Sequence, residues 1–185
     1  MTAPATPEAA LLRWVQSIPA VHCVAPAFRP WTKANDATVV PITPVSGERF
    51  ARTGFAGNVI ASLTVVARGG TGDTYWAGRV PAANAVVLHA GSEAMEESFT
   101  AVVAGAGALP RTVATLPAAP RLGGGIGLGS TRATVEGVLG AGHAKTLCGF
   151  DVVRYEPRPP AASEAETWFF YRAGIVVAIA RYEAV

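Results

Sequence analysis

Charge is what this chain has least of. Only 15% of its 185 residues are Asp, Glu, Lys or Arg, against 50% hydrophobic, a balance that excludes an intrinsically disordered protein. The Lys and Arg are scattered and the formal net charge is +2. Neither the basic stripe of a nucleic-acid binder nor the basic face of a membrane-surface helix is present. Long hydrophobic runs are missing too. The longest nearly apolar stretch, Val59 to Ala67, contains Ser62 and Thr64 and falls far short of the ~20 residues of a spanning helix. The opening Met1-Thr-Ala-Pro-Ala-Thr-Pro-Glu8 lacks the basic and apolar regions of a signal peptide. It reads as a cytoplasmic start or as a mature secreted terminus with Met1 replacing a removed signal, and its Ala/Pro/Thr character favours the second.

Cysteine is nearly absent. Cys23 and Cys148 are either a disulfide that restrains a long loop, stabilising by ~3–5 kcal/mol, or two separate buried thiols. No C-x-x-C or H-x-x-x-H spacing accompanies them. Adjacent His22 and Cys23 point to opposite sides of an extended chain, so His22, His89 and His143 are not expected to form a metal centre or a Cys–His pair. No G-x-S-x-G elbow occurs. Glu93, Glu96 and Glu97 form a charge run expected on a solvated surface. In Gly123–Thr131, Gly124 and Gly129 have the separation of a phosphate loop, but Ser130 occupies the position of its lysine and no strand precedes it. That segment is expected to be the flexible entry to a helix. No cofactor and no catalytic residue is expected.

What is present is a change of hydrophobic period along the chain. Thr6-Pro7-Glu8 is a helix start, and Leu11, Trp14, Val15 and Ile18 then recur at helical spacing until Pro19. A proline-rich stretch follows, with one short strand expected at Thr38–Val40. Asn58–Ala67, Thr74–Val80, Ala85–Ala90 and Ser98–Ala104 are β-branched or aromatic runs bounded by turn residues, the pattern of an antiparallel meander. Residues 106–125 are rich in Gly, Ala and Pro and read as a connection. Ser130 or Thr131 then caps a helix with Val135, Val138 and Leu139 on one face and Gly140 as its stop. Strands follow at Phe150–Glu156, Thr167–Arg172 and Ile175–Tyr182. The expected fold is α+β, with helices packed on an antiparallel sheet. Residues 1–105 and 126–185 read as successive helix-plus-sheet halves, although identity between them is too thin to establish a repeat.

Ile126-Gly-Leu-Gly-Ser-Thr-Arg-Ala-Thr-Val-Glu-Gly-Val-Leu-Gly140 and Trp168-Phe-Phe-Tyr-Arg-Ala-Gly-Ile-Val-Val-Ala-Ile179 carry a resemblance. Residues 125–182 resemble the superfamily of BamE-like outer-membrane assembly lipoproteins and secreted β-lactamase inhibitor proteins, with its Gly-x-Thr start, its short helix ending in Leu-Gly and its Gly-turn hairpin. The resemblance implies an α+β fold, a secreted or periplasmic setting, and binding to another protein without catalysis. The lipidated N-terminal cysteine of the anchored branch has no counterpart here. The alternative function is a small-molecule-binding protein or enzyme using a cleft between the halves.

The final hairpin indicates where a partner would dock. Ala173 resists the positive φ of a type I′ turn, so a type I turn with a bulge at Gly174 is expected. That register places Phe169, Tyr171, Ile175, Val177 and Ile179 toward the helix. Trp168, Phe170 and Tyr182 then share the other face with small alanines, as candidate anchors for a partner or as the core of a sheet covered on both sides.

Overall fold

The computed structural model describes residues 40–68, 73–92, 96–105, 113–147, 149–161 and 164–184. The helix expected from Thr6 to Pro19 and both cysteines of the candidate Cys23–Cys148 pair lie outside the described residues.

Twelve elements follow in chain order: β1 (Ile42–Val45), α1 (Gly47–Ala51), β2 (Thr64–Arg68), β3 (Asp73–Val80), β4 (Ala85–Ser92), β5 (Glu97–Ala104), β6 (Ala114–Thr115), α2 (Arg132–Leu139), β7 (Ala144–Leu147), β8 (Phe150–Pro157), β9 (Glu164–Arg172) and β10 (Ile175–Ala184). All strands belong to one ten-stranded sheet, in the order β1-β8-β9-β10-β5-β4-β3-β2. β6 extends the β2 edge on β3, and β7 extends the β1 edge on β8. The β1–β8 and β6–β3 pairs are parallel and the remaining pairs antiparallel.

The order repeats. β2-β3-β4-β5 and β7-β8-β9-β10 are both antiparallel meanders, and they join through β5 and β10. The strand that enters each meander pairs with the other one: β1 lies on β8, and β6 lies on β3.

This architecture corrects the expected α+β class. The sheet is mixed rather than antiparallel, and the described α-helices, of 5 and 8 residues, are too short to define a helical layer. The strands explain why. Val86, Val87, Leu88, Val102 and Val103 are consecutive or nearly so and at most 1% exposed, the signature of strands buried on both faces. Among the described residues no helix is long and apolar enough to cross a membrane.

Local capping follows the chain chemistry. The Thr131 side chain accepts from the Thr134 amide at 3.1 Å, and α2 ends at Gly140 with φ 99°. Val135 and Leu139 are buried against Val153, Tyr155, Phe169 and Tyr171. Residues 58–62, expected within a strand, instead enter a 3-10 turn at Ile60–Ser62; the Asn58 side chain accepts from the Ala61 amide and favours the turn locally. Residues 38 and 39 of the strand expected at Thr38–Val40 lie outside the described residues, and the first described strand is Ile42–Val45.

The β9–β10 turn also differs from expectation. Ala173 has φ 49° and Gly174 φ 74°, and Arg172 faces Ile175, so the loop has two residues with left-handed backbone. The bulge sits further on, between Val176 and Ala178. The chain before α2 fixes this register: Gly129 N–H donates to the Val176 carbonyl, Val176 N–H to the Ser130 carbonyl, and Arg132 N–H to the Gly174 carbonyl, all within 2.8–2.9 Å. These bonds outweigh the ~1–2 kcal/mol that a left-handed alanine costs. Val176 and Ile179 consequently face α2 together with Phe169 and Tyr171. Replacing exposed Ala173 with Asn, which tolerates this conformation before Gly, is expected to stabilise the fold by ~0.5–1 kcal/mol, read as a higher midpoint in urea denaturation.

Candidate functional site

Directly paired residues in a sheet project to the same face, and the registers here align one transverse row from edge to edge. Val65 faces Trp76, Trp76 faces His89, and His89 faces Thr100. Thr100 faces Arg181, which faces Thr167; Thr167 faces Tyr155, and Tyr155 faces Thr43. Polar and aromatic side chains fill most of this row. The adjacent row toward α2 is apolar: Val87, Val102, Ile179, Phe169 and Val153. The row on the other side carries Thr74, Gly91, Ser98, Glu183 and Ala165. The polar row therefore marks the border between a packed half-face and a lower one.

The β8–β9 end of the row is buried. Tyr155 donates its hydroxyl to the Gly140 carbonyl at 2.9 Å, and Thr43 accepts from the His143 amide at 2.8 Å. At the centre, Arg181 ties three elements together. Its Nη1 donates to Thr53 beyond α1 and, at 3.2 Å, to Thr167 on β9. Nε donates to Glu183 at 2.9 Å, and the guanidinium lies 4.9 Å from the Phe50 ring centroid. Thr167 donates to Thr53, and Thr53 to the Phe50 carbonyl, so the buried hydroxyls are satisfied in sequence. Only a planar, multidentate cation serves this many partners at once.

The β3–β4–β5 end is more open. Trp76 and Thr100 are half-buried and Val65 is 42% exposed. His89 is 6% exposed; its Nδ1 lies 2.8 Å from Thr100 Oγ1, and its ring sits 5.1 Å from that of Trp76 at 57°. Burial lowers the His89 pKa to about 4, with the Glu183 carboxylate pulling it the other way. The imidazole is thus neutral at pH 7.

The sequence-expected residues are distributed differently. Trp168 and Phe170 are 4% and 0% exposed and do not stand as open anchors. They belong to a buried cluster with Val86, Leu88, Phe99, Ala101 and Val103 of the first meander, and the Arg154 guanidinium lies 5.5 Å from the Trp168 ring. The β5–β10 pairing makes this face continuous with that of the first meander, and Ala178 and Ala180 belong to the same buried cluster. Tyr182 is half-buried and hydrogen-bonded to Glu97, with burial raising its pKa. His143 is exposed at the entry to β7, Glu96 is exposed with φ 52°, and Glu97 begins β5. His22 and Glu93 are outside the described residues. Gly123–Thr131 leads into the α2 cap through backbone bonds such as Leu122 N–H to the Ile126 carbonyl. Among the described residues, no group of three or more His, Cys, Asp or Glu is placed to hold a metal.

His89 alone carried a sequence signal for the row, as a polar residue inside the apolar run Ala85–Ala90. Trp76, Thr100 and Arg181 are brought beside it by register. No protein-family model matches the chain, and no curated protein or solved structure matches it.

The buried imidazole sets a direction for stability against pH. Between about pH 4 and 6.5 the unfolded chain binds a proton at residue 89 that the native chain does not, so stability rises with pH across that window. The loss on acidification through it reaches ~3 kcal/mol from this group. Urea denaturation at pH 7 and pH 4.5 is expected to show the difference, and His89→Gln to reduce it.

Proposed function

We propose that the chain is a non-catalytic protein-binding module of a secreted or periplasmic setting. Its recognition surface is the open end of the transverse row, centred on Trp76 and His89 and flanked by Val65, Thr100 and Glu183. The observation that carries this reading is the juxtaposition of a half-buried tryptophan and an exposed valine with a low Gly91–Ser98 floor. Rigid aromatic side chains on strands are frequent interface hot spots because little rotamer entropy remains to be lost on binding.

The continuous β5–β10 ladder supports this reading over a small-molecule or enzymatic site between the halves. A small ligand requires a concavity that encloses it, and β5 and β10, paired from Ala178–Val103 to Ala184–Glu97, leave no slot between them over that span. The resemblance of residues 125–182 to inhibitor and envelope-assembly proteins points the same way.

An immobilised full chain incubated with envelope or culture-fluid extract is expected to retain a defined polypeptide. The double variant Val65→Asp/Trp76→Ala is expected to retain at least tenfold less. Ile42→Asp, at an exposed position of β1, is expected to retain as much as the unsubstituted chain. Equal retention by all three baits overturns the assignment of the surface.

A further inference from the structure

The two faces of the sheet differ in what the described residues lay over them. On the α2 face, apolar residues from outside the strands pack on both meanders. Phe50, Leu122, Ile126, Val135 and Leu139 lie over the second, and Leu116 with partly buried Phe55, Val59 and Leu63 over the first. On the opposite face the buried cluster comes from the strands themselves. Val40 and Val113 are its two described members from outside them.

The opposite face is nevertheless closely buried. Ala77, Leu88, Ala101, Ala180 and Trp168 form one row across five strands and are at most 4% exposed. Exposed strand residues of the same sheet, Val65 and Ile42, stand at 42% and 46%. Burial of the row within a single chain therefore requires a cover from that chain. The row also has a shape. Its three alanines lie between Val103 and Phe170 on one side and Phe99 and Tyr182 on the other, so they floor a shallow trough that runs across the strands. A trough of this kind is filled by large side chains from an element laid over it, because protein interiors are close-packed.

Chain length and connectivity point to one source. Residues 1–39 are the longest stretch outside the described set, and the others are of seven residues or fewer. The described chain begins on this face, because Val40 is 1% exposed and belongs to its cluster. Within residues 1–39, Leu11, Trp14, Val15 and Ile18 recur at the spacing of a single helical stripe. Such a stripe is held in helical form mainly by packing against another apolar surface. The chain from residue 19 to residue 39 reaches about 70 Å when extended, ample to connect any part of the face to Val40.

We infer that the alanine-floored trough is the docking surface for the chain's own first 39 residues, with Leu11, Trp14, Val15 and Ile18 as the contacts. The face of Trp168 and Phe170 thus takes a segment of this chain in the place of a partner protein. The inference is independent of the reading of the Trp76–His89 surface.

Two measurements on the full chain test it. With alanine methyl groups isotopically labelled, the Ala101 or Ala180 methyl is expected to show nuclear Overhauser contacts to the Trp14 indole ring, and Trp14→Leu to remove those cross-peaks. Leu11→Asp/Val15→Asp is expected to raise the fluorescence of an added hydrophobic-surface dye at least threefold and to lower the melting temperature. Ala9→Asp/Gln16→Asp adds the same charge on the side of the helical projection away from the stripe, and is expected to leave dye fluorescence within a factor of 1.5 or so of the unsubstituted chain. Absence of any contact between Trp14 and these methyl groups in the unsubstituted chain overturns the inference, however the variants fold. Equal dye fluorescence from the two double variants overturns it as well.

Discussion

The β5–β10 ladder is the interaction on which the rest of the molecule depends. From Ala178 opposite Val103 to Ala184 opposite Glu97, it satisfies two edges that would otherwise expose unpaired backbone groups. By making one sheet of two meanders, it merges their apolar sides. Val102 and Ile179, paired across this junction, are both fully buried. The parallel arms β1 and β6 cross in opposite senses between the same two meanders. Separating the halves would therefore break the central ladder and both arms together.

One face of the sheet is distinguished by what lies over it. α1, α2 and the chain around Leu122, Ile126 and Leu128 cover Val153, Phe169 and Ile179, and among the described residues this covering stops near the transverse row. Arg181 is the fastening at that boundary. Its guanidinium rests on Phe50 and donates into the Thr53–Thr167 pair, holding the end of α1 against β9 and β10. A buried cation is tolerable only with such complete pairing. Beyond it, where α1 no longer reaches, His89 and Trp76 occupy a border with packed neighbours on one side and a glycine on the other. Among the described residues, the candidate site lies where the cover formed by α1 and α2 ends.

Much of this was legible as local pattern. The β-branched and aromatic runs at 74–80, 85–90, 98–104, 150–156, 167–172 and 175–182 all fall within strands, because strand-favouring side chains bounded by turn residues mark each run. Thr131 and Gly140 bracket α2 as their capping chemistry requires. Neither β6 nor β7 was legible: β6 has two residues and β7 four, with β7 exposed along most of its length. Their strand character comes from the neighbour they pair with.

The chain's own chemistry thus settles where it extends, where α2 begins and ends, and which functions its composition excludes. It does not settle which strands become neighbours, and from this the remaining differences follow. Ala173 adopts a left-handed turn because distant Ser130 and Gly129 hold β10 in register. Trp168 and Phe170 are core rather than surface because they join one buried cluster with residues of the first meander, which the β5–β10 pairing brings into the same sheet. Trp76, His89, Thr100 and Arg181 form one row because three ladders align them. Alternation along a strand assigns residues to two faces, but exposure depends on what is laid over each face, and that is a property of contacts far apart in the chain.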